Sequence, residues 1–314
     1  MLAPLAVAGC ELGTPTGPLA PGSSVPALVA ATPAPAVPKA RKRRPAVRSE
    51  PRSVPAVAAA PAASATPSGG TAAAACPDDM AHVRGDHCRA VEQRCLEYVV
   101  KKGVPDENRC VRFEKPALCV STAPTPRRMN FCMDRYEYPN RVGELPKTLV
   151  DWQEASRLCS IQGKRLCTES EFTFACEGEE MRPYAIGFER DASKCNIDKP
   201  FLKRRLELKA DAECRVDPRC AAEFARLDGR ARIGDRSACV SPFGVHDMNG
   251  NVNEWVSLPW KQPPHRAALK GGWWGPVRNR CRAMVATHGE KYMGYEVGFR
   301  CCKEAADGKL ASRR

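Results

Sequence analysis

Apolar positions recur at helical spacing in two places after residue 150. Residues 150–159 place apolar side chains on one face, and Asp151 stands where an N-cap would lie. Residues 168–171 read Thr-Glu-Ser-Glu, a capping box in which the first side chain accepts an amide hydrogen bond and the last reaches back. We expect this second helix to run from about residue 169 to Cys176, with Phe172 facing the core.

Other parts of the chain predict strands and loops. Residues 131–140 alternate well enough for a strand that enters a turn. Residues 178–240 are charged and irregular, so we expect loops there, with one short amphipathic helix at 202–211. The glycines after residue 270 predict short strands joined by ordered loops.

The first 75 residues are rich in Ala and Pro and contain few residues that could form a core. Such a segment cannot bury enough surface to offset its ordering entropy, so residues 11–75 are predicted to be a disordered linker. Residues 1–75 contain seven Lys and Arg against two Glu, which gives about +5 of the net charge of +13. No nucleic-acid recognition motif accompanies the basic run at 39–44, which favours a solvated spacer near anionic lipid or wall polymer over nucleic-acid binding.

The first ten residues end in Val-Ala-Gly-Cys, which is similar to a bacterial lipobox with Cys10 as the lipidated residue. The preceding apolar stretch is short and carries no basic residue, so residues 1–10 form only a partial signal. The alternative is that small apolar residues precede a cysteine by chance. No apolar run reaches 18 residues, so no transmembrane helix is predicted.

Seventeen cysteines indicate an oxidising compartment. Apart from Cys10, sixteen remain, which allows up to eight disulfides of unknown connectivity. Zinc is the alternative, but no Cys-x-x-Cys pair is present and the five His are scattered. Residues 76–125 are predicted to be a small Cys-rich subdomain, or else the N-terminal part of the main domain, because so small a core would need staples.

Three sequence blocks resemble those of one family. They read GKRLCTESEF at 163–172, FGVHDMNGNVNEW at 243–255, and LKGGWW at 269–274 followed by VGFRCC at 297–302. Their order and spacing resemble the formylglycine-generating enzyme, or sulfatase-modifying factor, family over about residues 129–304. The resemblance implies an irregular, loop-rich α+β fold of the C-type-lectin-like kind, with residues 305–314 as a disordered tail.

Active members of that family hold Cu(I) between two cysteine thiolates five residues apart, as suits a soft ion. The second of these positions matches Cys281, but the first matches Pro276, which has no ligand. Copper is therefore not expected. Cys281 could be a residual metal or redox thiol, or a disulfide partner, and the cysteine-rich context favours the disulfide.

The resemblance also implies calcium ligands and one disulfide. The calcium ligands of the family match the side chains of Asp247 and Glu254 and the carbonyls of Gly250 and Val252, while Asn196-Ile197 resembles the start of a second site. Oxygen donors in a tight turn suit Ca²⁺, although the turn could also be held by its own Asn and Asp hydrogen bonds. The implied disulfide joins Cys176 to Cys301.

Three further positions follow from the resemblance. Arg300, in the Gly-Phe-Arg block, is expected to form a structural ion pair. Cys167 replaces a family proline and suggests an added disulfide, while Trp273 replaces a family serine and would fill space near a bound peptide.

Two functional hypotheses remain. The first is an envelope-anchored or secreted binding or scaffold protein that keeps the fold without copper chemistry and recognises an unknown protein, peptide or small molecule. The second is an oxidoreductase of the same superfamily that acts through Cys281 or through another metal site.

Overall fold

The computed structural model describes residues 75–123, 125–205, 214 and 216–306. The predicted signal, nearly all of the predicted linker, and the tail after residue 306 lie outside these residues. So does most of the amphipathic helix predicted at 202–211, since residues 206–213 are not described.

The described residues form three helices and twelve strands, which confirms the α+β class. The helices are α1 (Trp152–Ile161), α2 (Glu169–Glu177) and α3 (Pro218–Leu227). The strands before α1 are β1 (Met80–His87), β2 (Val91–Glu92), β3 (Cys95–Lys101), β4 (Val104–Phe113), β5 (Leu118–Cys119) and β6 (Arg127–Asp134). The later strands are β7 (Arg165–Leu166), β8 (Asn253–Ser257), β9 (Ala267–Lys270), β10 (Met284–Val285), β11 (Val297–Phe299) and β12 (Cys301–Glu304).

Two four-stranded sheets organise the chain. The first has the order β1-β6-β12-β7 and is antiparallel throughout. The second has the order β10-β9-β8-β11, in which β11 runs parallel to β8. The strands β11 and β12 are separated only by Arg300, so the chain passes from the second sheet to the first at that residue.

Both predicted helices begin where the sequence indicates. The Asp151 carboxylate accepts a hydrogen bond from the Glu154 amide at 2.7 Å. The Thr168 hydroxyl accepts from the Glu171 amide at 3.3 Å, and the Glu171 carboxylate accepts from the Thr168 amide at 2.7 Å, which completes the capping box. Phe172 is fully buried, as predicted for the core face of α2.

The interpretation of residues 178–240 as loop is wrong for helix α3. Asp217 caps this helix by accepting from the Arg219 amide, and Pro218 occupies the first turn. Proline is favoured there because its fixed φ suits the helix and its missing N–H would have no intrahelical partner. The Asp-Pro pair is therefore a local indication of a helix start, although the surrounding residues are highly charged.

Residues 76–125 do not form a separate subdomain, and the alternative, the N-terminal part of the main domain, describes them better. Strand β1 pairs along its whole length with β6, and the Cys76–Cys132 disulfide ties the two segments together. Met80 and Val83 are buried in hydrophobic clusters that also contain residues of the main domain. A strand that supplies the edge of the main sheet cannot be assigned to a different folding unit.

All sixteen cysteines in the described residues are paired. The disulfides join Cys76–Cys132, Cys88–Cys119, Cys95–Cys110, Cys159–Cys301, Cys167–Cys302, Cys176–Cys281, Cys195–Cys239 and Cys214–Cys220. The added disulfide suggested by Cys167 is present. Eight disulfides are typical of proteins from oxidising compartments.

The predicted disulfide between Cys176 and Cys301 is wrong. Cys301 opens β12 directly opposite Leu166 of β7, where α1 packs and supplies Cys159 as the partner. Cys176 lies near the end of α2 in the other core cluster and bonds to Cys281. Adjacent cysteines 301 and 302 point to opposite faces of a strand, so Cys301 bonds to Cys159 near the end of α1 and Cys302 bonds to Cys167 just before α2.

No helix among the described residues is both long and apolar enough to cross a membrane.

Candidate functional site

The loop before β8 follows from its residue types. Asp247, Gly250 and Asn251 all have positive φ, at 57°, 96° and 54°. Asp and Asn tolerate this left-handed region better than most side chains. At Gly250 a Cβ atom would lie 2.4 Å from the carbonyl oxygen of Asn196, so only glycine fits this close approach.

The same close approach joins two segments predicted to hold calcium at different sites. The Asn251 amide donates to the Asn196 carbonyl at 2.9 Å, and the Asn196 side-chain amide donates to Asn251 Oδ1 at 2.9 Å. Ile197 packs against Gly250. The structure therefore brings Asn196-Ile197 into direct contact with the 247–254 loop, which their separation in sequence did not indicate.

Two buried oxygen atoms in this region have no hydrogen-bond donor among the described residues. They are Oδ1 of Asp247 and Oδ1 of Asn196, and the two residues are 2 % and 1 % exposed. Buried polar atoms are nearly always satisfied in native proteins, so each of these oxygens is a place where a ligand could bind.

Three buried carboxylates surround one guanidinium in the same region. Arg300 donates to both oxygens of Glu254, at 2.6 and 2.7 Å, which confirms the ion pair predicted for Arg300. Glu137 accepts from the Asn251 side chain at 2.6 Å and from the Val252 amide at 3.1 Å. Asp247 is the third carboxylate, and the four charged residues are all nearly or fully buried.

The carboxyl groups titrate at raised pH because burial disfavours their charged forms. Burial raises the pKa of Asp247 to about 7, although Arg300 opposes the shift. Burial, together with the charges of Asp247 and Glu254, raises the pKa of Glu137 well above its usual range. Burial also raises the pKa of Glu254, against the effect of Arg300. One guanidinium thus balances only part of the negative charge, and protons or a cation must balance the rest.

Glu137 was not predicted as a site residue. It lies in the segment after β6 that the alternation pattern describes only as a strand entering a turn. Its role depends on contacts with residues 251 and 252, more than 110 positions away, and no local signal marks it.

The thiol position at Cys281 is sealed. Cys281 and Cys176 are both fully buried and bonded to each other. Nδ2 of Asn249 lies 3.6 Å from the Cys176 sulfur and 4.0 Å from the Cys281 sulfur, while its Oδ1 accepts from the Ala185 amide at 2.6 Å.

No group of three or more His, Cys, Asp or Glu side chains in the described ranges is arranged to hold a metal ion.

Pro276 lies in a different setting from Cys281. It lines an open cavity of about 500 Å³, together with Trp273, Arg278 and Asn253, whereas Cys281 is not part of the cavity wall. Trp273 is half-buried and forms part of this wall, and its expected role near a bound peptide stays a prediction. The lipidation candidate Cys10 lies outside the described residues.

Comparison with known proteins gives one matching family model and several similar solved structures. The family model for the sulfatase-modifying factor enzyme 1-like domain matches residues 98–305. Among solved structures, CarF is similar with 15 % identity over 73 % of this chain and 98 % of its own, at a TM-score of 0.45. PvdO from Pseudomonas aeruginosa has 16 % identity over 68 % of this chain and 92 % of its own, at a TM-score of 0.40. Treponema denticola variable protein 1 has 13 % identity over 59 % and 89 %, at 0.38.

Replacing Arg300 by Met is expected to destabilise the fold strongly. The substitution leaves Glu254 buried without its cation, beside Glu137 and Asp247. Removing one partner of a buried ion pair costs about 3–5 kcal/mol, and urea unfolding of the oxidised protein measures the loss. Arg84→Met, at an exposed arginine of β1, is the control and should change stability by less than about 0.5 kcal/mol. Equal stability of the two variants would contradict a structural role for the pair.

Proposed function

Since this chain belongs to the sulfatase-modifying factor enzyme 1-like family, we propose that it is a non-catalytic member that acts as a binding module. The observation that carries the proposal is the buried Cys176–Cys281 disulfide. In the resembled enzymes the position of Cys281 is a metal-binding thiolate. In this chain its sulfur is bonded to another sulfur and is out of contact with solvent.

Copper does not fit the residues at the corresponding positions. Pro276 has no side-chain donor, and a disulfide sulfur is not a thiolate, so neither of the two soft ligands is available. We therefore assign no chemical step to copper in this protein. The rival hypothesis, an oxidoreductase of the same family, would require Cys281 to be released or a different group to react.

The cavity at Pro276 supports binding as the alternative activity. Its volume of about 500 Å³ lies in the range of small-molecule pockets. Trp273 supplies an aromatic surface, while Asn253 and Arg278 supply polar and cationic groups. Such a mixture of an apolar wall and a few polar groups gives orientation and affinity without a reactive thiol.

We further propose that the 247–254 loop binds calcium together with Asn196. Asp247 and Asn196 each present a buried oxygen without a donor, and both are hard ligands suited to Ca²⁺. Arg300 engages both oxygens of Glu254, yet an ionised carboxylate has about four acceptor sites, so Glu254 keeps capacity for a cation. A bound divalent cation would balance the excess charge of the three carboxylates, with the carbonyls of Gly250 and Val252 as further donors.

The N-terminal residues support a location at the cell envelope. A lipid on Cys10 would tether the domain, and the basic residues that follow would be attracted to an anionic surface. The eight disulfides agree with such an oxidising setting. We propose no nucleic-acid partner, and the protein, peptide or small molecule that is recognised stays to be identified.

The natural protein is expected to produce no formylglycine. The assay incubates it with copper, reductant, oxygen and a Cys-x-Pro-x-Arg peptide, and mass spectrometry detects aldehyde, with an active family member as positive control. Pro276→Cys should stay inactive because Cys281 remains bonded to Cys176. The double variant Pro276→Cys/Cys176→Ser shows whether releasing Cys281 matters. Aldehyde formed at turnover by the natural chain, and lost in Cys281→Ala, would establish the oxidoreductase instead.

Calcium is expected to raise the melting temperature of metal-free protein, and a chelator should reverse the increase. Binding to the native state alone stabilises by about 2.7 kcal/mol at a hundredfold excess over Kd. Asp247→Asn should remove this response, because it replaces the carboxylate that carries one of the two unsatisfied oxygens. Asp78→Asn, at an exposed carboxylate, should keep it. The calcium proposal fails if the melting curve of the natural protein is the same with and without the ion.

A further inference from the structure

A second cavity lies where the end of β1, the start of β6 and the first turn of α2 meet. Its volume is about 440 Å³, and it is lined by His87, Arg89, Arg127, Ser170, Thr173, Arg282 and one carboxylate, Glu169. None of these residues belongs to the calcium loop or to the cavity at Pro276. The composition of its wall therefore calls for a separate explanation.

His87 is the most informative residue in this wall. It is only 5 % exposed, yet neither ring nitrogen has a hydrogen-bond partner within the described part of the chain. Its nearest charged neighbour is Glu177, whose Oε1 lies 3.5 Å from Nε2. That carboxylate is already bound at both oxygens by Arg282, at 2.6 and 2.7 Å. A buried imidazole with unsatisfied nitrogens facing a polar cavity indicates a missing ligand.

The charges around the cavity do not cancel. Arg282 forms an ion pair with Glu177, and Lys270 forms one with Glu169, with Lys270 Nζ 2.8 Å from Glu169 Oε1. Arg89 and Arg127 remain, and neither forms an ion pair with any residue that the structure describes. Arg127 lies directly opposite His87 in the β1–β6 pairing. The two side chains therefore leave the same face of the sheet at neighbouring positions, and both line the cavity.

The first turn of α2 supplies a hydroxyl to this wall through Ser170. The helix end itself is not counted toward the positive charge, because the Glu171 amide is already bonded to the Thr168 hydroxyl and the turn contains Glu169 and Glu171. The neighbouring hydroxyl of Thr173 is not available, because it donates to Glu169 and accepts from Lys270, both at 2.7 Å. Ser170 is therefore the hydroxyl of this wall that can contact a ligand.

We propose that this cavity binds a small organic anion through a phosphate or carboxylate group. The oxyanion is held by the guanidinium groups of Arg89 and Arg127 and by an N–H of His87. Arginine suits this role because its planar fork matches oxyanions. The cavity is far larger than the roughly 30 Å³ that one water molecule occupies, so the rest of the ligand extends beyond the charged group.

The test follows the imidazole signals of 15N-labelled protein by NMR during titration at constant ionic strength. Inorganic phosphate, glycerol 3-phosphate and succinate are the probes, and the two organic probes separate phosphate from carboxylate recognition. We expect the His87 signals to shift to saturation, with an organic probe binding more tightly than inorganic phosphate. Arg89→Gln and Arg127→Gln should each weaken binding about tenfold.

Arg84→Gln provides the matched control. It removes the same charge from the same strand, but an odd number of positions from His87, so its side chain lies on the other face of β1. Its affinity should match that of the natural protein. Equal weakening by Arg84→Gln would reduce the effect to general charge attraction and overturn the proposal. So would the lack of a saturable shift at His87 with millimolar probes, on protein whose melting curve shows that it is folded.

Discussion

The passage of the chain from one four-stranded sheet to the other at Arg300 is the constraint on which the structure depends. Strand β11 belongs to one sheet and β12 to the other, with this single residue between them. Its buried guanidinium binds Glu254 of β8, while the next two residues form disulfides to Cys159 and Cys167. An ion pair and two covalent bonds thus fix the junction, and α1, α2 and both sheets are positioned from it.

The Cys176–Cys281 disulfide lies at the position on which the proposed loss of the family's thiol chemistry depends. The second cysteine position of the copper site is used here to bond the end of α2 to the segment after the double-glycine turn. The disulfide stabilises the core, and the same bond removes a nucleophile and a soft ligand. The binding activity that we propose instead depends on the cavity around Trp273 and Pro276. One fold can host both outcomes because function resides in the site.

Local signals in the sequence predicted the starts of α1 and α2 correctly, whereas most failures concerned long-range pairing. The caps at Asp151 and Thr168 depend on residues three positions away, so the sequence contains all the information needed. The partner of Cys176 and the role of Glu137 depend on contacts across more than 100 positions. The approach of Asn196 to Gly250 was unpredictable for the same reason, although the glycine marked a place where some backbone comes close. Helix α3 is the exception among local elements. The charge of the surrounding stretch favoured a loop, although Asp217 and Pro218 indicate a helix start.

The central claim is that Cys281 is a structural half of a disulfide and not a reactive thiol. Peptide mapping of the native, unreduced protein after alkylation tests it most directly. The account predicts one peptide pair joined through Cys176 and Cys281, a second joined through Cys159 and Cys301, and no alkylated Cys281. An alkylated Cys281 in folded, oxidised protein would contradict the account and return this position to chemistry.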